Sequence, residues 1–148
     1  METTGSETID PQQIQGILDE RIKAVYERDE QTILAQYAPG VISYDLAPPL
    51  KNVGVDAIKQ RLQKWFGSYS GHITQEVADV VIEGSGDIAH THFMMRTYGT
   101  SVKGEAQDMW YRGTMFFKNM GGQWLITHEH ISDPVDMTTG KIIFDLKP

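Results

Sequence analysis

The chain has 148 residues, no cysteine and a formal net charge of -7, with 40% hydrophobic and 22% charged residues. That length suits one domain that buries about 70% of its unfolded surface. Without cysteine there are no disulfides, thiolate nucleophiles or cysteine-based metal centres, and an acidic balance with no Lys/Arg cluster argues against nucleic acid and anionic membranes as partners. Met1 to Asp10 lacks the basic and apolar regions of a signal peptide and no apolar run is long enough to span a bilayer, so a soluble cytoplasmic protein is expected.

Residues 1–9 are polar and are expected to form a flexible tail, leaving 10–148 as one domain. Asp10-Pro11-Gln12-Gln13 reads as a helix start: Asp10 can accept from free backbone N–H groups, Pro11 sits where a missing N–H costs nothing, and Gln13 can reach back as in a capping box. Ile14, Ile17, Leu18, Ile22, Val25 and Tyr26 then recur at helical spacing opposite Glu20, Lys23 and Glu27. Asp29 predicts the cap of a shorter helix holding Ile33, Leu34 and Tyr37, ended by Pro39-Gly40. A short strand is predicted over Val41–Asp45. The segment Leu46-Ala47-Pro48-Pro49-Leu50 cannot continue a central strand, because each proline removes a ladder donor, and reads as a rim loop. Gly54 introduces a third helix with Val55, Ile58, Leu62, Trp65 and Phe66 on one face, and Gly67 and Gly71 bracket the turn out of it.

Beyond Gly71 the period changes from helical to alternating, broken by glycines at Gly84 to Gly86, Gly99 to Gly104 and Gly121-Gly122. Strands are predicted over His72–Glu83, Asp87–Tyr98, Ala106–Lys118 and Gln123–Ser132, closed by Asp133-Pro134. Ile142-Ile143-Phe144 predicts an edge strand or a contact with a partner subunit. Three helices followed by a four-stranded antiparallel meander make an α+β arrangement with helices packed on one face.

Alternation sorts the strand side chains onto two faces. One carries His90, His92, Met94 and Arg96, then Asp108, Trp110, Arg112, Thr114 and Phe116, then Trp124, Ile126, His128, His130 and Ser132. The other, on the third long strand, carries Met109, Tyr111, Gly113, Met115 and Phe117. Aromatic walls with a few polar groups are typical of a pocket, so the mixed face is the expected site. The apolar set Met109, Tyr111, Met115 and Phe117 is then the expected partner surface, giving a homodimer through the outer sheet face.

Taken together, the long and short helices, the Val41–Asp45 strand, the Pro-rich loop, the Gly54-x-x-Ala57-Ile58 helix and the strand Trp124-x-Ile126-x-His128-x-His130-x-Ser132 resemble the SnoaL-like group of the nuclear-transport-factor-two-like superfamily. The resemblance runs from about Pro11 to Pro134. It implies a cone-shaped α+β barrel, a curved antiparallel sheet wrapped around N-terminal helices and enclosing a pocket. Members of the superfamily include ketosteroid isomerases, polyketide cyclases, dehydratases, epoxide hydrolases and non-catalytic hub domains, so the fold leaves function open. Asp45, nine residues before Gly54, resembles the isomerases' general-base aspartate in its spacing to the following helix glycine. The stretches corresponding to the isomerase oxyanion hole hold Arg21-Ile22 and Gly113-Thr114 instead of a tyrosine and an acid, which points away from steroid isomerisation.

The candidate catalytic residues are Asp45, His92, His128 and Arg112, with Asp108 and His130 as further polar groups on the same face. Histidine gives and takes protons near neutrality, and a guanidinium can orient a carboxylate or enolate oxygen. Tyr44, Trp65, Phe66, Met94, Trp110, Thr114 and His130 are the expected ligand-binding walls. Several have a plainer reading: Asp45 capping the Pro-rich turn, Arg112 paired with Asp108 or another carboxylate, Trp65 and Phe66 packed in the core, and His128 held by a backbone or carboxylate hydrogen bond. No metal is expected at His90-x-His92 and His128-x-His130, which an intervening strand keeps about 10 Å apart. No cofactor is expected either, as no phosphate-cradling loop or dinucleotide fingerprint occurs. Two functions follow: a cofactor-independent isomerase, cyclase or hydro-lyase acting on a small apolar oxygenated compound by general acid/base catalysis, or a non-catalytic ligand-binding or assembly module.

Overall fold

The computed structural model describes residues 8–148. Helices α1 (Pro11–Glu27), α2 (Glu30–Leu34) and α3 (Val55–Gly67) pack on one face of a curved six-stranded sheet. The strands β1 (Tyr37–Tyr44), β2 (Asn52–Val53), β3 (Tyr69–Ser85), β4 (Ile88–Ser101), β5 (Ala106–Met120) and β6 (Gln123–Ser132) lie in the order β2-β1-β6-β5-β4-β3. Neighbours are antiparallel except β1 and β6, which run parallel, and the sheet curves around the helices without closing. No helix among the described residues is long and apolar enough to cross a membrane. Most of the expected tail lies outside the described residues; Thr8 bridges Ser85 and Ile9 packs against the core.

α1 starts where its sequence predicts, with Asp10 accepting from the Gln12 N–H at 3.0 Å and Pro11 in the first turn. Gln13 does not complete a capping box. Its side-chain oxygen accepts from the Trp124 indole N–H at 2.9 Å and ties α1 to β6. α1 ends at Arg28, in the left-handed region with φ 57°. From there the guanidinium donates to the carbonyls of Phe66 (2.6 Å), Tyr69 (2.7 Å) and Gly71 (2.9 Å), clasping the junction of α3 and β3.

Asp29 caps α2 as expected, but the helix stops at Leu34. Tyr37, Pro39 and Gly40, predicted as its end, belong to β1. Tyr37 pairs with Ile126 and the ladder resumes at Ile42 opposite His128, so Pro39 falls in an irregular gap where its missing N–H breaks no bond. The predicted Ile142–Phe144 strand is a single bridge from Val135 to Ile142. The Trp110 N–H donates to the Phe144 carbonyl at 3.1 Å, which lays the tail beside β5 past the end of β6.

The core joins Ile14, Leu18 and Val25 of α1 to Ile73, Phe93, Phe117 and Ile126 of the sheet, each no more than 3% exposed. Burying a side chain of this size contributes about 1.5–3 kcal/mol. The inward face of the sheet is the reverse of the one expected. Tyr111, Met115 and Phe117 of β5 face the helices together with Phe93 and Met95 of β4, so the set that includes Met109 is the core side and not a partner surface. Apolar stripes on the helices need an apolar sheet face to cover them, and the mixed face, rich in His, Arg and Asp, cannot supply it.

β6 divides between the two faces. Phe117 pairs with Ile126 but Phe116 pairs with His128, so Thr127 is an extra residue, a β-bulge. Upstream of it Trp124 and Ile126 face the core. Downstream the alternation is shifted by one residue, so His128 and His130 turn outward and Glu129, only 8% exposed, turns in.

Candidate functional site

A polar cluster lies on the concave side of the sheet beneath α1 and α3. Arg21 stands in the apolar stripe of α1, one turn from Leu18 and one from Val25. Arg61 stands in that of α3, beside Ile58 and Leu62. Helical spacing therefore directs both guanidinium groups toward the sheet. β1 brings Tyr37 and Ser43, with Asp45 just beyond its end, and the bulge in β6 brings Glu129.

The Tyr37 hydroxyl accepts from Arg21 Nη2 at 2.7 Å and donates to the Glu129 carboxylate, with oxygens at 2.8 and 3.0 Å. Ser43 Oγ donates to Glu129 Oε1 at 2.9 Å, and Arg21 Nη2 lies 3.8 Å from Glu129 Oε2. Arg61 pairs with Asp45, whose Oδ1 also accepts from the Leu46 N–H at 2.6 Å. Burial drives the Tyr37 hydroxyl far above its ordinary pKa, against the opposing pull of Arg21. Burial alone would lower the Arg21 pKa, but the facing Tyr37 and Glu129 outweigh it and the net direction is up. The Arg61 pKa is lowered, by burial first and Arg21 in the same sense, against the pull of Glu129. Tyr111 adjoins the cluster, its pKa raised by burial and its hydroxyl accepting from Gln75 Nε2 at 3.2 Å.

The formal charges balance, two guanidinium groups against two carboxylates. Glu129 has both oxygens engaged and serves as an anchor for Tyr37 and Ser43. Arg21 Nη1 is different, being buried with no hydrogen-bond partner among the described residues. A buried guanidinium nitrogen left unpaired costs free energy, so it is a ready donor to an acceptor oxygen brought by a ligand.

Of the expected catalytic residues, Asp45 alone joins this cluster; its side chain is 7% exposed. His92, His128 and Arg112 lie on the outer face, so the four do not converge. His128 is held by its Nδ1–H, which donates to the Ile42 carbonyl at 2.8 Å, with Tyr44 packed edge-on at 4.7 Å between ring centroids. Arg112 donates to Ser132 Oγ at 3.1 Å and not to Asp108, which takes two hydrogen bonds from Arg96. Among the expected walls, Tyr44, Met94, Trp110, Thr114 and His130 are also on the outer face. Phe66 is core, 8% exposed beneath the Arg28 guanidinium, and Trp65 packs against Phe66 and Tyr69. Phe116 lies between His90 and His128, 6.0 and 5.8 Å from them, and no group of three or more His, Asp or Glu side chains among the described residues is placed to hold a metal ion.

Sequence reasoning missed Arg21, Tyr37, Ser43, Arg61 and Glu129 as site residues. The two arginines had a signal, a charge standing inside an otherwise apolar helical stripe. Glu129 was hidden by the bulge.

The SnoaL-like domain family model matches residues 14–136. A similar solved structure is an NTF2-like protein of unknown function from Pseudomonas putida KT2440, 31% identical over 95% of this chain and 99% of that chain, with a TM-score of 0.86. A candidate calcium/calmodulin dependent protein kinase II association domain from Xanthomonas campestris shares the fold at 15% identity, covering 89% and 96% of the two chains, with a TM-score of 0.74. A ketosteroid isomerase-like protein from Erwinia carotovora atroseptica SCRI1043 shares it at 18% identity, covering 82% and 93%, with a TM-score of 0.70. No curated protein matches the sequence.

Proposed function

The chain belongs to the SnoaL-like domain family, and from that premise we propose that it binds a small oxygenated organic molecule on the concave side of its sheet, presenting a carboxylate or enolate oxygen to Arg21. The observation that carries this reading is the buried Arg21 Nη1 without a partner. Tyr37 and Glu129 hold the guanidinium in one orientation, so its free edge is preorganised for an incoming oxygen. Arg61 is the second cation within reach of such a ligand. Drawing Arg61 toward the ligand would free Asp45, the carboxylate able to move a proton between substrate carbons. The reaction class is then cofactor-independent proton transfer, as in an isomerase or hydro-lyase. A cytoplasmic setting fits a sequence without cysteine.

The test is a screen of small carboxylates, enones and epoxides by calorimetry and turnover. Arg21→Gln is expected to weaken carboxylate binding at least about tenfold, and Asp45→Asn to abolish turnover while binding persists. Carboxylate binding that is indifferent to Arg21→Gln would remove the proposal.

The outer face supports a second, compatible reading. It exposes Phe116 and Tyr44, 42% and 38% accessible, around His128, and one relative sharing the fold is a candidate association domain. We infer a homodimer through this face. Sedimentation of the wild type against Phe116→Glu tests it, and a wild type that sediments as a monomer would reject it.

A further inference from the structure

The C-terminal tail roofs a cavity on the outer side of the sheet, away from Arg21 and Glu129. Its volume is about 190 Å³. Met94 and Trp110 form its floor from β4 and β5, and Ile143 and Leu146 come over it from the tail. The roof is held by main-chain bonds, Trp110 N–H to the Phe144 carbonyl at 3.1 Å and Ile143 N–H to the Pro134 carbonyl at 2.9 Å. Into this mostly apolar space comes Asp133, whose two carboxylate oxygens are both buried with no hydrogen-bond partner among the described residues.

We propose that this cavity is a binding site for a small organic cation, a single aromatic or aliphatic ring bearing a protonated amine that donates to Asp133. Size sets the class of the apolar part: a dry cavity of about 150 Å³ accepts benzene, so this one accommodates a ring with a short arm. Asp133 sets the class of the polar part. A buried carboxylate with no donor is costly, and an ammonium group supplies both the charge and the hydrogen bonds that it lacks. Its neighbour Arg112 does not supply them: the side-chain hydrogen bond it makes among the described residues goes from Nε to Ser132 Oγ, and neither Asp133 oxygen takes one from it. Arg112 and Lys147 also border the cavity, but an anion drawn to them would be forced against Asp133. The net charge of -7 attracts cations at long range. In keeping with this environment, burial pushes the Asp133 carboxyl up to about 6, with Arg112 opposing. Near neutral pH it is therefore charged and available to an amine.

The experiment is calorimetric titration of the full chain at neutral pH with benzylamine, benzyl alcohol and benzoate. Benzylamine is expected to bind saturably with Kd on the order of 0.1–1 mM, the alcohol at least about tenfold more weakly, and benzoate not measurably. Asp133→Asn should weaken benzylamine about tenfold or more, and Leu146→Trp, which fills the cavity, should remove binding and so locate it. Should either variant fold poorly, the wild type alone decides: its affinity for benzylamine falls as pH drops from about 7 to about 5 and Asp133 takes up its proton. Equal affinity for benzylamine and benzoate, pH-independent affinity, or a folded Asp133→Asn that binds as well as the wild type would overturn the proposal.

Discussion

Phe93 on β4 lays its ring over Gly113, its partner on β5, so closely that a methyl group at Gly113 would meet ring atom Cε2 at 2.4 Å. The glycine is a space requirement of the core, and it occupies one of the positions where the resemblance to isomerases had suggested an acid. Gly113→Ala is expected to destabilise the fold by about 1–3 kcal/mol through overpacking, measured by urea denaturation. Coupling with Phe93→Leu should recover part of that loss, and strictly additive effects would show that the ring is not what the methyl group meets.

The buried Tyr37–Glu129 bond is expected to contribute to stability as well as to the site. Tyr37→Phe removes the donor to Glu129 and the acceptor for Arg21, at a cost of about 1–3 kcal/mol. Glu129→Leu leaves Arg21 without a facing carboxylate and should cost more, about 3–5 kcal/mol. The same denaturation experiment ranks the two variants, and the reverse order would refute the account.

Arg28 combines an unfavourable backbone with a favourable side chain. Its φ of 57° favours glycine, while its guanidinium bonds three carbonyls. Arg28→Ala loses the bonds and keeps the backbone cost, for a loss of about 2–3 kcal/mol. Arg28→Gly loses the same bonds but relieves the backbone, and should be more stable than the alanine variant by about 1 kcal/mol. Thermal midpoints of the two variants measured side by side check the order.

Asp133 predicts a pH dependence of unusual sign for a carboxylate. Its folded pKa is raised from 3.8 to about 6, by burial, with Arg112 of β5 opposing and Lys147 of the tail also bordering its cavity. The folded protein therefore holds this proton more tightly than the unfolded chain, and the contribution of Asp133 to stability falls as pH rises from about 4 to about 6. Asp29 and Asp108, lowered by hydrogen bonds from Thr32 and Arg96, act in the opposite sense. The informative quantity is the difference between wild type and Asp133→Asn, which should move in favour of the asparagine variant across that window. A flat difference would contradict it.

Much of the fold was legible in the sequence because its signals are local. Asp10-Pro11, Asp29 and Gly54 mark helix starts, and β6 spans Gln123–Ser132 as read. The start of β1 was not legible, since Tyr37 is placed by pairing with distant Ile126 and Pro39 follows it in a gap of the ladder. The assignment of faces failed for a related reason. Alternation separates two sets of side chains but does not say which set the helices cover, and one unpaired residue in β6 hides Glu129 from any strict period of two. Asp45 was singled out because its spacing to Gly54 resembles that of the isomerases' aspartate, whereas Arg21 was noted only for standing where a tyrosine was sought, and Arg61 carried no such resemblance, although both share the buried stripe of their helices.

The extra residue at Thr127 acts on β6 as a frame shift acts on a message. Everything after it is presented in the phase opposite to that of a regular strand of the same sequence, in which Thr127 would take a place in the ladder, Glu129 would face outward and His128 and His130 would lie beneath the helices. Deleting Thr127 alone, by contrast, would leave Ile126 opposite Phe117 and His128 opposite Phe116, so a domain with or without the bulge keeps the same interior. When two such sequences are aligned, the position of one gap in the last strand decides whether an interior carboxylate is compared with its true counterpart or with a surface imidazole.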